Sequence, residues 1–141
     1  IDGLAELHNL DIETTGLAQL GKPEGYVQRQ VEGWMDRYNK AQTDDVFNME
    51  IAADWMLKNM PRPQKSTFLH NDYKYDNVVW NPEMTQIIGV LDWEMSTVGD
   101  PLMDFGAALA WWSELGDGDF SKMMNLTWLE GNLSRRQAID S

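Results

Sequence analysis

The sequence predicts an α+β domain, mainly helical, with a small β-hairpin in its second half. Three observations carry this. Apolar residues recur at helical spacing along residues 24–41 and 47–60. The period then shortens to the apolar runs Val78-Val79-Trp80 and Ile87-Ile88-Gly89-Val90-Leu91, separated by the turn signal Asn81-Pro82-Glu83. Finally, Asp100-Pro101 is a helix opening, with a side chain that can cap and a proline suited to the first helical position.

Taken in order, Leu4, Leu7 and His8 share one face of a short first helix, and His8 is expected to pack there. Residues 11–25 carry Gly16, Gly21, Pro23 and Gly25 and predict a loop. Val27, Val31, Trp34, Tyr38 and Ala41 line the helix over 24–41. Phe47, Ile51 and Trp55, with Ala52, Met56 and Met60, line the next, which Pro61 and Pro63 end. Both stripes are expected to be core. Thr67-Phe68-Leu69 predicts a short extended segment ahead of the hairpin. The helix opened by Asp100 is expected to run through Phe105, Leu109 and Trp112 until Gly116 and Gly118 stop it. From Phe120 the signals are weak: a loop, with a short helix over 134–139.

The 141 residues suit one domain with a single core, and 43% hydrophobic content with seven Trp and nine Met excludes disorder. A net charge of −12 excludes nucleic-acid binding by phosphate neutralisation. The absence of Cys excludes disulfides, thiolate nucleophiles and Cys-held metals, and two His argue against a multi-His site. The apolar run at residues 106–112 is far short of a membrane span, and no signal peptide is visible. These features predict a soluble, cytoplasmic domain without a membrane or nucleic-acid partner. The abrupt start and the charged ending Ser134-Arg135-Arg136-Gln137 read as cuts inside a larger protein.

The acid is unevenly placed. Between Ser66 and Ser121 ten acids face a single base, Lys74. Several of these acids sit among Val, Ile, Leu, Trp and Phe, where a carboxylate needs a cation or a hydrogen-bonding partner. A metal is the expected answer.

The chemistry concentrates in His70-Asn71-Asp72-Tyr73-Lys74-Tyr75-Asp76-Asn77, then the hairpin, then Leu91-Asp92-Trp93-Glu94. A hairpin returns the chain to where it started, so Asn77 and Asp92 should end side by side. Their amide and carboxylate oxygens form a hard-oxygen site suited to Mg²⁺. Asp72, on a loop five residues before Asn77, is near that site yet free to face a substrate. Phosphoryl transfer needs a metal on the phosphates and an oriented hydroxyl, and this set supplies both.

His-x-Asp-x-x-x-x-Asn followed by a strand-ending Asp resembles the catalytic and metal-binding loops of the protein-kinase-like fold. Asp92-Trp93-Glu94 stands in place of Asp-Phe-Gly, and Val98-Gly99-Asp100-Pro101-Leu102-Met103-Asp104-Phe105 follows almost at once. That combination resembles the aminoglycoside phosphotransferase and choline kinase branch, which phosphorylates small molecules. Leu4-Ala5-Glu6-Leu7-His8 and Lys22-Pro23-Glu24-Gly25-Tyr26 resemble it too, and the nearest likeness is to the subgroup linked to acyl-CoA dehydrogenases. The resemblance spans nearly the whole chain.

It implies that residues 1–141 are the C-terminal, catalytic lobe of such a kinase, without its N-terminal nucleotide-binding lobe. ATP would be the co-substrate, Mg²⁺ the cofactor and a small-molecule hydroxyl the acceptor. Asp72 would be the catalytic base or orient that hydroxyl. Asn77 and Asp92 would hold the metal, with Glu94 either assisting it or acting as a surface acid. Lys74 would serve the transferred phosphate or a salt bridge. His70 and Asp104 would brace the catalytic loop. Asn71 stands where these kinases commonly have Gly, which should alter the loop's backbone rather than its reactive groups. No Gly-rich loop precedes a strand and no strand Lys is present to meet phosphates. The fragment alone is therefore expected to be inactive, with a fused or separate N-terminal lobe as its partner. A non-catalytic kinase-like binding or regulatory module is the alternative, and a metal-dependent phosphoester hydrolase a third.

Overall fold

The computed structural model describes residues 1–62 and 65–141. Among the described residues, six α-helices and two antiparallel pairs of short strands form the predicted α+β fold. Helix α1 (Asp2–His8) lies against β1 (Thr67–Leu69), which pairs with β4 (Thr97–Gly99) in the register Thr67↔Gly99 and Leu69↔Thr97. Helix α4 (Pro101–Ala110) covers the same strand. The core collects there: Leu4, Val27, Phe68, Leu69, Val98 and Ala108 are all buried. Strands β2 (Val78–Trp80) and β3 (Ile87–Val90) make the expected hairpin. Asn81 fixes its turn by accepting the Thr85 and Gln86 amides on Oδ1.

The opening of α4 is as the sequence implies. Asp100 accepts the Leu102 amide at 2.9 Å, with Pro101 at the first helical position. Its end differs: the helix stops at Ala110, not at Gly116. The tail intervenes, because Thr127 Oγ1 takes the Ser113 amide at 2.7 Å and the Trp112 indole donates to the Leu133 carbonyl. That tail is more ordered than its composition suggests, with α5 (Asp119–Met124) and α6 (Arg135–Asp140). Helix α6 starts at a capping box between Ser134 and Gln137. Loop 11–25 contains one 3₁₀ turn, Leu17–Leu20.

The largest departure is in the helical hairpin of α2 (Tyr26–Ala41) and α3 (Phe47–Lys58). Only the first turns of α2 are core, through Tyr26, Val27 and Val31. The expected core stripe of α3 is exposed, with Phe47 at 72% and Trp55 at 63%. Among the described residues helix α3 packs chiefly on α2, so its apolar side chains are covered on one side and left open elsewhere. Trp34, also exposed, takes the Arg37 guanidinium on its ring face at 4.8 Å. The expected stop at Pro63 lies outside the described residues.

Half of the ten acids between Ser66 and Ser121 meet protein partners, Asp72 through Lys74. Asp100 caps α4, Asp104 accepts backbone amides, and Glu114 and Asp117 pair with Arg135 on α6. The Arg135 hydrogen bond holds the Asp117 carboxyl below its usual range. Among the described residues no helix is long and apolar enough to cross a membrane.

One contact sets the seam between α2 and the strands. A Cβ built on Gly99 would lie 2.5 Å from the Tyr26 ring, which is itself buried. Gly99→Ala is expected to lower stability by about 1–3 kcal/mol, the usual cost of overpacking. Thermal unfolding reads this directly, and an unchanged midpoint would contradict the packing described.

Candidate active site

Strand β1 delivers the chain into the loop that begins at His70, and the loop's position is set from α4. Asp104, fully buried, accepts the His70 amide on Oδ2 at 2.8 Å and the Asn71 amide on Oδ1 at 2.7 Å. His8 of α1 adds its Nε2 to Oδ2 at 2.9 Å. His70 is also fully buried; its Nε2 donates to the Leu91 carbonyl at 2.9 Å and its Nδ1 accepts the Asp72 amide at 3.2 Å. Those partners select the neutral tautomer protonated on Nε2. One imidazole thus ties the loop to the far end of the hairpin.

Asp72 and Lys74 are each one-fifth exposed, and Lys74 Nζ lies 2.9 Å from both carboxylate oxygens. Lys74 also sits over the Trp111 ring, 4.6 Å from its centroid. Asn77, buried at the end of a 3₁₀ turn (Tyr75–Asn77), spends its amide protons on Asp72. Nδ2 meets the Asp72 carbonyl and carboxylate, each at 2.8 Å. Its Oδ1 takes no donor among the described residues. The hairpin then does what its spacing requires: the Leu91 amide donates to the Asn77 carbonyl at 2.8 Å, which leaves Asp92 one residue beyond Asn77's partner.

Asp92 has the left-handed backbone angle φ 63°, opening a second 3₁₀ turn, Trp93–Met95. Its carboxylate is exposed and makes no hydrogen bond among the described residues. Glu94, on the same turn, is likewise exposed. The Trp93 ring stacks on Phe68 and tilts against His70, with centroids 5.8 and 4.8 Å away. Asp72, Lys74 and Asn77 therefore form one bonded cluster, with Asp92 brought alongside by pairing and Glu94 at the rim. Among the described residues no three His, Cys, Asp or Glu side chains converge as a metal site. Asn77 Oδ1 and the Asp92 and Glu94 carboxylates take no donor among the described residues, and all are hard oxygens of the kind Mg²⁺ accepts alongside phosphate and water.

Two participants were not among the expected site residues. Trp111, next to the Trp112 placed on the helix by spacing, becomes the seat of Lys74 because α4 ends there. Tyr26, whose phenol burial pushes above its ordinary range, puts its hydroxyl 3.2 Å from Asn71 Nδ2. His8 is packed on its helix as expected, but against Asp104. Asn71 adopts φ 64°, a left-handed conformation that glycine takes without strain. A cavity of about 210 Å³ opens beside the loop, lined by Leu4, Tyr73, Lys74, Val78, Trp112 and Leu133 among others.

Comparison with known proteins places this geometry. Residues 1–139 match the phosphotransferase enzyme family. The chain belongs to that family. It is 38% identical over 105 residues to human acyl-CoA dehydrogenase family member 11, and 39% identical over 101 residues to mouse acyl-CoA dehydrogenase family member 10. Those matches cover 74% and 72% of this chain but only 14% and 9% of the relatives, so the chain spans a small part of their length. Among solved structures, a provisionally assigned aminoglycoside phosphotransferase from Ralstonia eutropha superposes with a TM-score of 0.73 at 34% identity. That match covers 84% of this chain and 36% of that one. A macrolide 2′-phosphotransferase type I superposes at 0.64 with 22% identity, over 96% of this chain and 44% of that one. The family membership, the kinase-like fold and the likeness to the acyl-CoA dehydrogenase-linked subgroup agree with the resemblance read from the motifs.

Replacing Asp104 by Asn puts an NH₂ where one oxygen accepted a backbone N–H. Asp104→Asn is expected to cost about 1–3 kcal/mol in urea unfolding and to speed amide exchange at His70 and Asn71. Unchanged stability and exchange would mean that the loop is held elsewhere.

Proposed function

We propose that this lobe belongs to a small-molecule kinase that moves the γ-phosphoryl group of ATP, with Mg²⁺, onto a substrate hydroxyl. The observation that supports it most is the bonded cluster of Asp72, Lys74 and Asn77, with the unengaged Asp92 brought alongside by the hairpin.

In this reading Asp72 accepts a hydrogen bond from the acceptor hydroxyl and aims its oxygen at the γ-phosphorus. As the new P–O bond forms, the bond to the β–γ bridging oxygen breaks and ADP leaves. The hydroxyl proton passes to Asp72 Oδ and then to solvent. Asn77, by donating to Asp72, fixes the carboxylate's rotation, so its oxygens need no reorganisation as the hydroxyl arrives. Lys74 offsets the carboxylate's charge at rest and is close enough to be shared with the transferring phosphoryl oxygens. Trp111 limits where Lys74 can go. Asn77 Oδ1 and Asp92 would hold Mg²⁺, with Glu94 binding directly or through water, and the metal would neutralise charge on the phosphate oxygens. His70 and Asp104 brace the loop. The nucleotide's remaining contacts are assigned to an N-terminal lobe, fused or separate, because this sequence offers no Gly-rich loop ahead of a strand. A cytoplasmic location, where ATP is available, is part of this proposal.

The test is ADP release by the full natural chain, assayed with Mg²⁺, ATP and a panel of hydroxyl compounds. Asp72→Asn is expected to lower kcat by about 10²–10⁴-fold, the usual worth of a positioned base, with the thermal midpoint kept within a few degrees. Asp92→Asn is expected to raise the Mg²⁺ concentration needed for half-maximal rate. Turnover within a few-fold of wild type in Asp72→Asn would overturn the assignment. Nucleotide binding without transfer to any acceptor would favour a regulatory kinase-like module.

A further inference from the structure

We infer that Asn71 is a positioning residue that clamps the turn carrying Asp92 and Glu94, so that the two functional loops move as one unit. The inference rests on the phosphotransfer reading for its meaning, but not for its geometry.

The turn from Leu91 to Ser96 is short and mostly exposed, and Asp92 sits in a left-handed conformation within it. The Trp93 ring, against Phe68 and His70, holds its middle, while Asp92 and Glu94 on either side are exposed. Two consecutive residues of the Asp72 loop grip it from either side. His70 Nε2 donates to the carbonyl of Leu91, immediately before Asp92, at 2.9 Å. Asn71 Nδ2 donates to the carbonyl of Met95, immediately after Glu94, at 2.9 Å. The acids proposed to hold metal lie between these two bonds. The Trp93 stack fixes the middle of the turn, and the two bonds fix the carbonyls at its ends.

Backbone chemistry indicates that this side chain has a task. At φ 64° glycine is unstrained, and any other residue accepts a penalty that is smallest for Asn and Asp. Asn is the one of these that can both tolerate the angle and donate to a carbonyl; Asp cannot donate when ionised. The Asn71 side chain is itself steadied from behind. The Tyr26 hydroxyl lies 3.2 Å from Nδ2 and 3.4 Å from Oδ1, and its ring is fixed over Gly99. The Asn71 amide is held by Asp104 at 2.7 Å. Position and direction of the donor are thus both set by buried groups.

The test compares Asn71→Gly, Asn71→Asp and Tyr26→Phe in the full natural chain. Amide hydrogen exchange comes first, because it needs neither metal nor substrate. Asn71→Gly keeps the backbone angle and removes the bond to Met95 together with that to the Tyr26 hydroxyl, which Tyr26→Phe removes alone. Exchange over residues 92–96 should rise about tenfold, the equivalent of one hydrogen bond, while the β2–β3 ladder and α4 are unchanged. Asn71→Asp should do at least as much, since a carboxylate would face the Met95 carbonyl. Tyr26→Phe keeps the Met95 bond and should do little. The second readout is Mn²⁺ affinity by electron paramagnetic resonance, expected to weaken about tenfold in Asn71→Gly, as for other residues that orient metal ligands. Unchanged exchange over 92–96 in Asn71→Gly, or an equal rise in Tyr26→Phe, would overturn the clamp. Faster exchange in Asn71→Gly, with no Mn²⁺ binding by the wild-type chain, would uphold the clamp and count against the phosphotransfer reading.

Discussion

Everything at the site hangs from one buried carboxylate. Asp104 receives two backbone amides and a histidine nitrogen from two separate stretches of chain, all between 2.7 and 2.9 Å. A carboxylate removed from water survives only if its oxygens are matched by donors, and charge-assisted bonds of this kind are the strong ones. Because those donors are the amides of His70 and Asn71, satisfying Asp104 is the same event as placing the loop that carries Asp72. Helix α4, capped by Asp100, positions Asp104 in turn. A single electrostatic requirement thereby joins α1, β1, the loop and α4.

From that anchor the order spreads by short hydrogen bonds rather than by bulk packing. His70 and Asn71 reach forward to Leu91 and Met95, while Asn77 reaches back to Asp72. The molecule answers most of its buried acids internally, with caps, backbone amides and Arg135. It leaves Asp92 and Glu94 exposed on a turn held from both sides. Unpaired hard oxygens on a rigid support suit a site whose missing charge is supplied by what binds there.

The sequence was most legible where chemistry and geometry are local. Asp100-Pro101 reads as a helix start because cap and proline act within one turn, and the hairpin is visible because its turn interrupts two apolar runs. Pairing then delivers Asn77 beside Leu91 without further information. What escaped depends on distant partners. Strand β4 has three residues, too few for a period, and exists because β1 lies beside it. Helix α4 ends early because Thr127, in the tail, takes the Ser113 amide. The stripe of α3 reads as core because periodicity shows which side is apolar, never whether anything covers it. Trp111 could not be told from Trp112 until the end of α4 set which ring meets Lys74.

The most direct measurement is a crystal structure of the full natural chain grown with Mg²⁺ and a non-hydrolysable ATP analogue. The account predicts Mg²⁺ on Asn77 Oδ1 and Asp92, with the terminal phosphate facing Asp72 and Lys74 and with Asp104 still holding the two loop amides. A nucleotide bound away from this loop, or a metal held by other acids such as Glu114 and Asp117, would contradict it.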